Sequence, residues 1–210
     1  QTTARNARRF FPLSLAAEGS CQIGGNLATN AGGINVLRYG NARDQVLGLE
    51  AVMPSGELLS DLHGLRKNNT GYDLKQLLIG SEGTLGIITA ATMRLFPQPV
   101  AVSTAFAEVR DVDAAVELLH RAQAASGGMV EAFELIPADI LNVLFEYFPK
   151  IPQPLATIGA MNVLMEIGSS NPASGIADDS GETPLQTIMQ ETLATAFEDG
   201  LVIDATIAAS

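Results

Sequence analysis

Up to Pro99 the apolar residues of this chain keep no sustained period, and beyond it they settle into alternating strand and helix patterns. Arg5 to Leu15 reads as the end of a helix running into Pro12. Gly19 to Gly40 is rich in Gly, Asn, Thr and Ala and has little periodicity. Gln45 to Met53 (QVLGLEAVM) predicts a strand, Pro54-Ser55-Gly56 a turn, and the residues through Leu59 a second short strand. Asp73 to Ile79 predicts a short helix closed by Gly80. Leu85 to Phe96 (LGIITAATMRLF) is β-branched and apolar, which predicts a buried strand ended by Pro97 and Pro99.

The later pattern is more regular. Ala101 to Val109 predicts a strand. Asp111 to Ser126 predicts a helix with Val112, Ala115, Val116, Leu119 and Ala122 on its apolar face and two Asp residues at the positive end of its dipole. Met129 to Ile136 predicts a strand, with Pro137 in the first turn of a helix whose apolar face is Ile140, Leu141, Leu144, Phe145 and Phe148. Ile158 to Ile167 predicts another strand, followed by a polar, mobile loop through Ser180. Thr183-Pro184-Leu185-Gln186 has the form of a capping box with Pro at the first helical position. The helix it opens carries Leu185, Ile188, Met189, Leu193 and Ala196 and stops at Gly200; Leu201 to Ile207 is the last strand. The order β-α-β-α-β-α-β predicts a ferredoxin-like α/β sandwich.

Composition and charge add a boundary and exclude partners. With 47% hydrophobic and 17% charged residues, the chain can bury a proper core. Residues 1–100 hold nine Lys and Arg against seven Asp and Glu, a balance of +2; residues 101–210 hold three against sixteen, a balance of −13. This break, with the prolines at 97 and 99, predicts two domains, 1–98 and 99–210. So little basic charge argues against a nucleic-acid partner. No apolar run reaches the length of a membrane span, and no secretory signal is recognisable. One cysteine, Cys21, excludes an internal disulfide and implies a reducing compartment, here the cytoplasm. The segment from Gln1 to Phe10 has no Met and does not read as a natural start, so a piece of a longer chain is expected.

Two segments are candidates for chemistry. Gly19 to Gly33 (GSCQIGGNLATNAGG) has five glycines in fifteen residues, and most of the others are small. Such a strip lets backbone N–H groups approach a ligand, while Asn and Thr add neutral donors and acceptors. Gly80 to Gly86 (GSEGTLG) opens directly into the strand at Leu85. Neither is a G-x-G-x-x-G between strand and helix, nor a G-x-x-x-x-G-K-[ST], which argues against a Rossmann domain and a P-loop. Glycines serving turns alone are the alternative.

Together with Arg38-Tyr39-Gly40, Arg66-Lys67-Asn68-Asn69-Thr70-Gly71-Tyr72-Asp73-Leu74 and Ile79 to Thr89, the strip Cys21 to Gly33 resembles the FAD-linked D-2-hydroxyacid dehydrogenases. These are flavoproteins of the vanillyl-alcohol-oxidase type and act on substrates such as D-2-hydroxyglutarate, D-lactate and glycolate. The resemblance implies an α+β fold: residues 1–98 would be the second half of an FAD-binding domain, and residues 99–210 the first part of a ferredoxin-like cap, or substrate, domain. FAD would be the cofactor. Ile23, Gly24, Gly25, Asn26, Thr29, Asn30, Gly32 and Gly33 would line the flavin and its ribityl-pyrophosphate stem. Glu82, Gly83, Gly86, Ile87 and Ile88 would close the other side. Asn69 and Tyr72 would lie toward the substrate, or else Asn69 caps the helix at Asp73 and Tyr72 is core.

The family's main pyrophosphate loop, its substrate-binding Arg and Lys and its metal site have no counterpart in these residues, so no catalytic or metal-ligating residue is assigned. A 2-hydroxy acid needs a cationic clamp and a general base. Arg110, Arg121 and Lys150 read as solvated surface, and His63 and His120 as surface without a partnering carboxylate. Cys21 reads as a small hydrophobe rather than a catalytic thiol. The expectation is part of an FAD-dependent dehydrogenase converting a D-2-hydroxy acid to a 2-oxo acid, inactive alone, its electron acceptor unassigned and a homodimer allowed. A non-catalytic binding module and a flavin oxidase of another alcohol are the alternatives.

Overall fold

The computed structural model describes residues 1–179 and 181–208. These fall into two compact units, Gln1–Gln98 and Pro99–Ser210.

In the first unit, helix α1 (Thr2–Asn6) precedes strand β1 (Arg9–Phe10), which pairs antiparallel with β5 (Phe96–Pro97). The expected helix through Leu15 is therefore cut short. The rings of Phe10 and Phe96 flank Tyr39 edge-on, at 5.5 and 4.8 Å, so aromatic packing favours the strand pair over continued helix. The glycine-rich stretch, for all its lack of periodicity, holds two short helices, α2 (Ile23–Ala28) and α3 (Val36–Tyr39). A three-stranded antiparallel sheet follows in the order β3-β2-β4, from β2 (Val46–Val52), β3 (Leu58–Asp61) and β4 (Ile87–Met93). The predicted turn closes β2 onto β3 through Gly56 at φ +85° and the bond from Met53 N–H to Glu57 O, 2.9 Å. Short α4 (Lys75–Leu78) lies between β3 and β4. The core is Leu13, Leu27, Ala42, Val46, Leu49, Ala51, Leu78 and Ile79. Contrary to expectation β4 is not buried, and Ile87 is 63% exposed. Within this unit the sheet covers only one face, so β-branched composition does not imply two buried faces.

The second unit is the predicted α/β sandwich. Strands β6 (Ala101–Val109), β7 (Val130–Pro137), β8 (Met161–Ser169) and β9 (Val202–Ile207) form one antiparallel sheet in the order β7-β8-β6-β9. Helices α5 (Val112–Ala125) and α7 (Pro184–Glu198) pack on one face over Ala105, Ala107, Val109, Val163, Met165 and Ile167. This is the ferredoxin-like arrangement with one helix, α6 (Ala138–Tyr147), inserted between β7 and β8. The α7 capping box forms as predicted: Thr183 N–H donates to Gln186 Oε1 at 2.8 Å, and Gln186 N–H to Thr183 Oγ1 at 3.4 Å.

Several details of this unit differ from the sequence pattern. The α5 core face is Ala114, Ala115, Leu118 and Ala122, while Val112 and Val116 are exposed. Alanines let the helix approach sheet and α7 closely, which turns the buried stripe by roughly a quarter turn from the larger residues. Only Leu141 of the α6 stripe is buried; Leu144 and Phe145 pack partly against Phe106 and Leu155, and Ile140 and Phe148 are exposed. Pro137 is the N-cap of α6 rather than its first-turn residue. Strand β8 begins later than Ile158, because Asn162 Nδ2 bonds the Gly159 carbonyl at 2.8 Å and holds the approach as a loop. In the expected polar loop, a 3-10 turn at Pro172–Gly175 is capped by Asn171; the loop's end at Ser180 lies outside the described residues.

Candidate functional site

The two glycine-rich segments meet in the first unit. Gly80 N–H donates to Leu27 O at 3.0 Å, and Glu82 N–H to Ala28 O at 2.8 Å. The loop between α4 and β4 is thereby tied to the C-terminal end of α2. Gly24 lies against β4 so closely that a Cβ would sit 3.1 Å from Ile88 O. Ile23, Gly24, Gly25 and Asn26 thus adjoin Gly80 to Ile88 as one surface patch.

The remaining predicted residues have bonds within the chain. Thr29 Oγ1 returns to Gly25 O at 3.0 Å. Asn30 is left-handed at φ +49° and its Oδ1 accepts from Arg43 N–H at 3.0 Å. A Cβ on Gly32 would contact Val36 and Asn41, and one on Gly33, at φ +116°, would overlap the Ser14 carbonyl. Glu82 and Gly83 are both left-handed, at φ +52° and +77°, which turns the chain sharply before β4. Gly86 is buried, with Val52 O 2.9 Å from where its Cβ would stand. Ile88 pairs with Ala51, and Ile87 projects to the exterior.

Gly25 is different. A Cβ built on it meets nothing within 4 Å, and its backbone is ordinary helix. A glycine inside a helix costs about 0.5–1 kcal/mol relative to alanine. Among the described residues no contact or backbone angle requires that loss. The first-turn N–H groups of Ile23, Gly24 and Gly25 have no intrahelical acceptor, and Gln22 makes no side-chain cap. Bare backbone and spare donors suit a flavin ring edge or a phosphate oxygen. Ile23 also lines two shallow cavities of about 180 and 350 Å³, one shared with Phe11, Cys21 and Asn26, the other with Phe11, Ala91 and Met93.

Arg43 organises the patch and was not among the expected site residues. Its Nη1 donates to Gln76 O at 2.7 Å and to Gln76 Oε1 at 2.9 Å, its Nη2 donates to Ile79 O, and its backbone N–H holds Asn30. It therefore clamps the end of α4 beside the Gly80 turn. The Asn41–Asp44 capping box that positions it is readable in the sequence; its distant acceptors are not.

Other residues weighed in the sequence sit elsewhere. Tyr72 is 73% exposed, hence not core, and Asn69 does not cap α4, whose N-cap is Leu74. His63 does have a carboxylate partner: its Nε2 is 3.2 Å from Asp61 Oδ1 and 2.9 Å from Asn68 Nδ2. Cys21 is a free, half-buried thiol accepting from Asn26 Nδ2 at 3.3 Å. Arg110 pairs with Asp111, Arg121 with Glu117 and Asp199, and His120 and Lys150 are exposed.

Residues 1–61 match a family described as FAD binding domain. An alkyldihydroxyacetonephosphate synthase superposes over 98% of this chain and 38% of its own, with TM-score 0.68 at 18% identity. A VAO-type flavoprotein of Myceliophthora thermophila superposes over 99% and 33%, with TM-score 0.55 at 15% identity. The fold is that of the VAO-type flavoproteins, and FAD is the cofactor its matched domain serves.

More particularly, the chain is homologous to D-2-hydroxyglutarate dehydrogenases. It is 41% identical to the mitochondrial enzyme of Danio rerio over 95% of the chain and 35% of the relative, and 50% identical to that of Bos taurus over 64% and 25%. A D-2-hydroxyglutarate–pyruvate transhydrogenase of Saccharomyces cerevisiae is 41% identical over 77% and 33%. The chain spans about a third of the length of the curated relatives it matches.

Proposed function

We propose that this chain carries one wall of the flavin pocket of an FAD-dependent dehydrogenase that oxidises a D-2-hydroxy acid of the D-2-hydroxyglutarate type to the 2-oxo acid. The open space over Gly25, next to the joined glycine segments, is the observation that carries the site. The relatives' names carry the substrate class. Residues 1–98 then belong to the FAD-binding domain and residues 99–210 to the substrate cap.

Bound FAD would supply the hydride acceptor. The chain's own share is binding and orientation. Ile23, Gly24, Gly25 and Asn26 would offer backbone donors and an apolar rim, with Glu82, Gly83 and Ile87 on the adjoining loop. Thr29, Asn30, Gly32, Gly33, Gly86 and Ile88 would keep these in place through the contacts given above. The electron acceptor is unassigned, and homodimer assembly is part of the same reading. Cytoplasmic placement rests on the free cysteine alone, while several relatives are named mitochondrial; fractionation of source cells decides between them.

Anaerobic addition of D-2-hydroxyglutarate to the full-length protein carrying this chain is expected to bleach its visible flavin absorption, with the L enantiomer inert. No bleaching by D-2-hydroxyglutarate or by D-lactate overturns the assignment.

A further inference from the structure

Besides the glycine patch, the first unit has a cleft of about 240 Å³ whose lining includes Arg43, Arg66, Lys75 and Arg94 beside a single carboxylate, Asp44. None of the residues expected to line the flavin lines it, and Arg43, which organises the glycine patch, is shared between the two. Four cations around so small a space repel one another, and a cleft concentrates their field. The two carboxylates nearby are already engaged. Asp44 accepts from Asn41 N–H at 2.9 Å, and Asp73 pairs with Lys75 at 2.5 Å. Counting both against the four cations leaves two positive charges.

The cations also differ in readiness. Arg43 is committed to the Gln76 and Ile79 carbonyls. Arg94 has its guanidinium carbon 4.5 Å from the centroid of the Phe96 ring, a cation–π contact. Arg66 is exposed, and no hydrogen bond or ion pair engages it among the described residues. The cleft is smaller than the roughly 300–1,000 Å³ of pockets for drug-sized ligands.

We propose that this cleft is a binding site for a dianionic phosphate group, held by Arg66, Lys75 and Arg94. A phosphate near neutral pH carries about −1.5 to −2 charges, matching the two uncompensated charges, and its acceptor oxygens suit two guanidinium groups, with the Lys75 ammonium shared between Asp73 and the phosphate. The group arrives either as free phosphate or as the end of a small phosphate monoester.

The test is calorimetric titration of the full chain with inorganic phosphate, glycerol phosphate and malonate in chloride buffer at constant ionic strength. Saturable phosphate binding with Kd near about 1 mM or below is expected, malonate being at least about tenfold weaker. Tighter binding of glycerol phosphate than of inorganic phosphate identifies the monoester as the source, and the reverse identifies the free ion. Arg66→Gln, at an exposed residue with no bond to lose, and Arg94→Gln should each weaken phosphate about tenfold, with Lys150→Gln unchanged. Unsaturable heats, malonate binding as tightly as phosphate, or Arg66→Gln and Arg94→Gln both binding like the parent would overturn the site.

Discussion

Replacing Arg43 by Met keeps most of the unbranched apolar stem and removes the guanidinium that clamps α4 beside the Gly80 turn. Three donor contacts vanish: 2.7 Å to Gln76 O, 2.9 Å to Gln76 Oε1, and the bond to Ile79 O. Hydrogen bonds from a charged donor contribute about 1.5–3 kcal/mol each, but these three share one half-buried group and are not additive, so about 3 kcal/mol is expected in total. Ile79 is buried, so its carbonyl has little water to turn to. The loss should appear at the amides of Gly80 and Glu82, which bond Leu27 O and Ala28 O. Native-state hydrogen exchange followed by NMR reads them individually. About 3 kcal/mol corresponds to roughly a hundredfold faster exchange at both sites. Rates within about threefold of the parent at both amides would refute the clamp.

Other substitutions test separate contacts. Gly33→Ala would press a Cβ onto the Ser14 carbonyl at φ +116°, so a loss of about 3 kcal/mol is expected in urea unfolding. Thr183→Ala removes the α7 cap and should cost about 1 kcal/mol, with Thr183→Ser near neutral by the same measurement. Asp111 is held below its ordinary value of 3.8 by the Arg110 side chain and then by the Ala114 N–H. A depressed folded value means that its contribution to α5 is complete above pH 3.8 and disappears as pH falls further, through the folded value. Its carboxyl resonance in an NMR titration should therefore have a midpoint below 3.8; a midpoint at or above that value refutes the cap.

The second unit was largely legible because its elements are long and punctuated: Pro184 after Thr183 starts α7, and Gly200 at φ +68° follows its end. Periodicity could not orient α5, since alanine and valine both count as apolar and only close packing separates Ala114 from Val116. In the first unit α2 was hidden because two of its six residues are glycine, and tertiary contact with β4 supplies what helix propensity withholds. The pairing of Arg9–Phe10 with Phe96–Pro97 joins residues nearly ninety positions apart, beyond the reach of any local pattern. At the site, the glycine segments could be found from composition. Their hydrogen-bonded union through Leu27 and Ala28, and Arg43's grip on Gln76 and Ile79, could not.

The claim that the open side of α2 holds the flavin is tested most directly at Gly25, where no atom of the described residues comes within 4 Å of an added Cβ. In the full-length protein carrying this chain, Gly25→Val should leave the circular dichroism unchanged while the purified protein loses its visible flavin absorption. A Gly25→Val protein that retains flavin at the parent's occupancy would contradict the account.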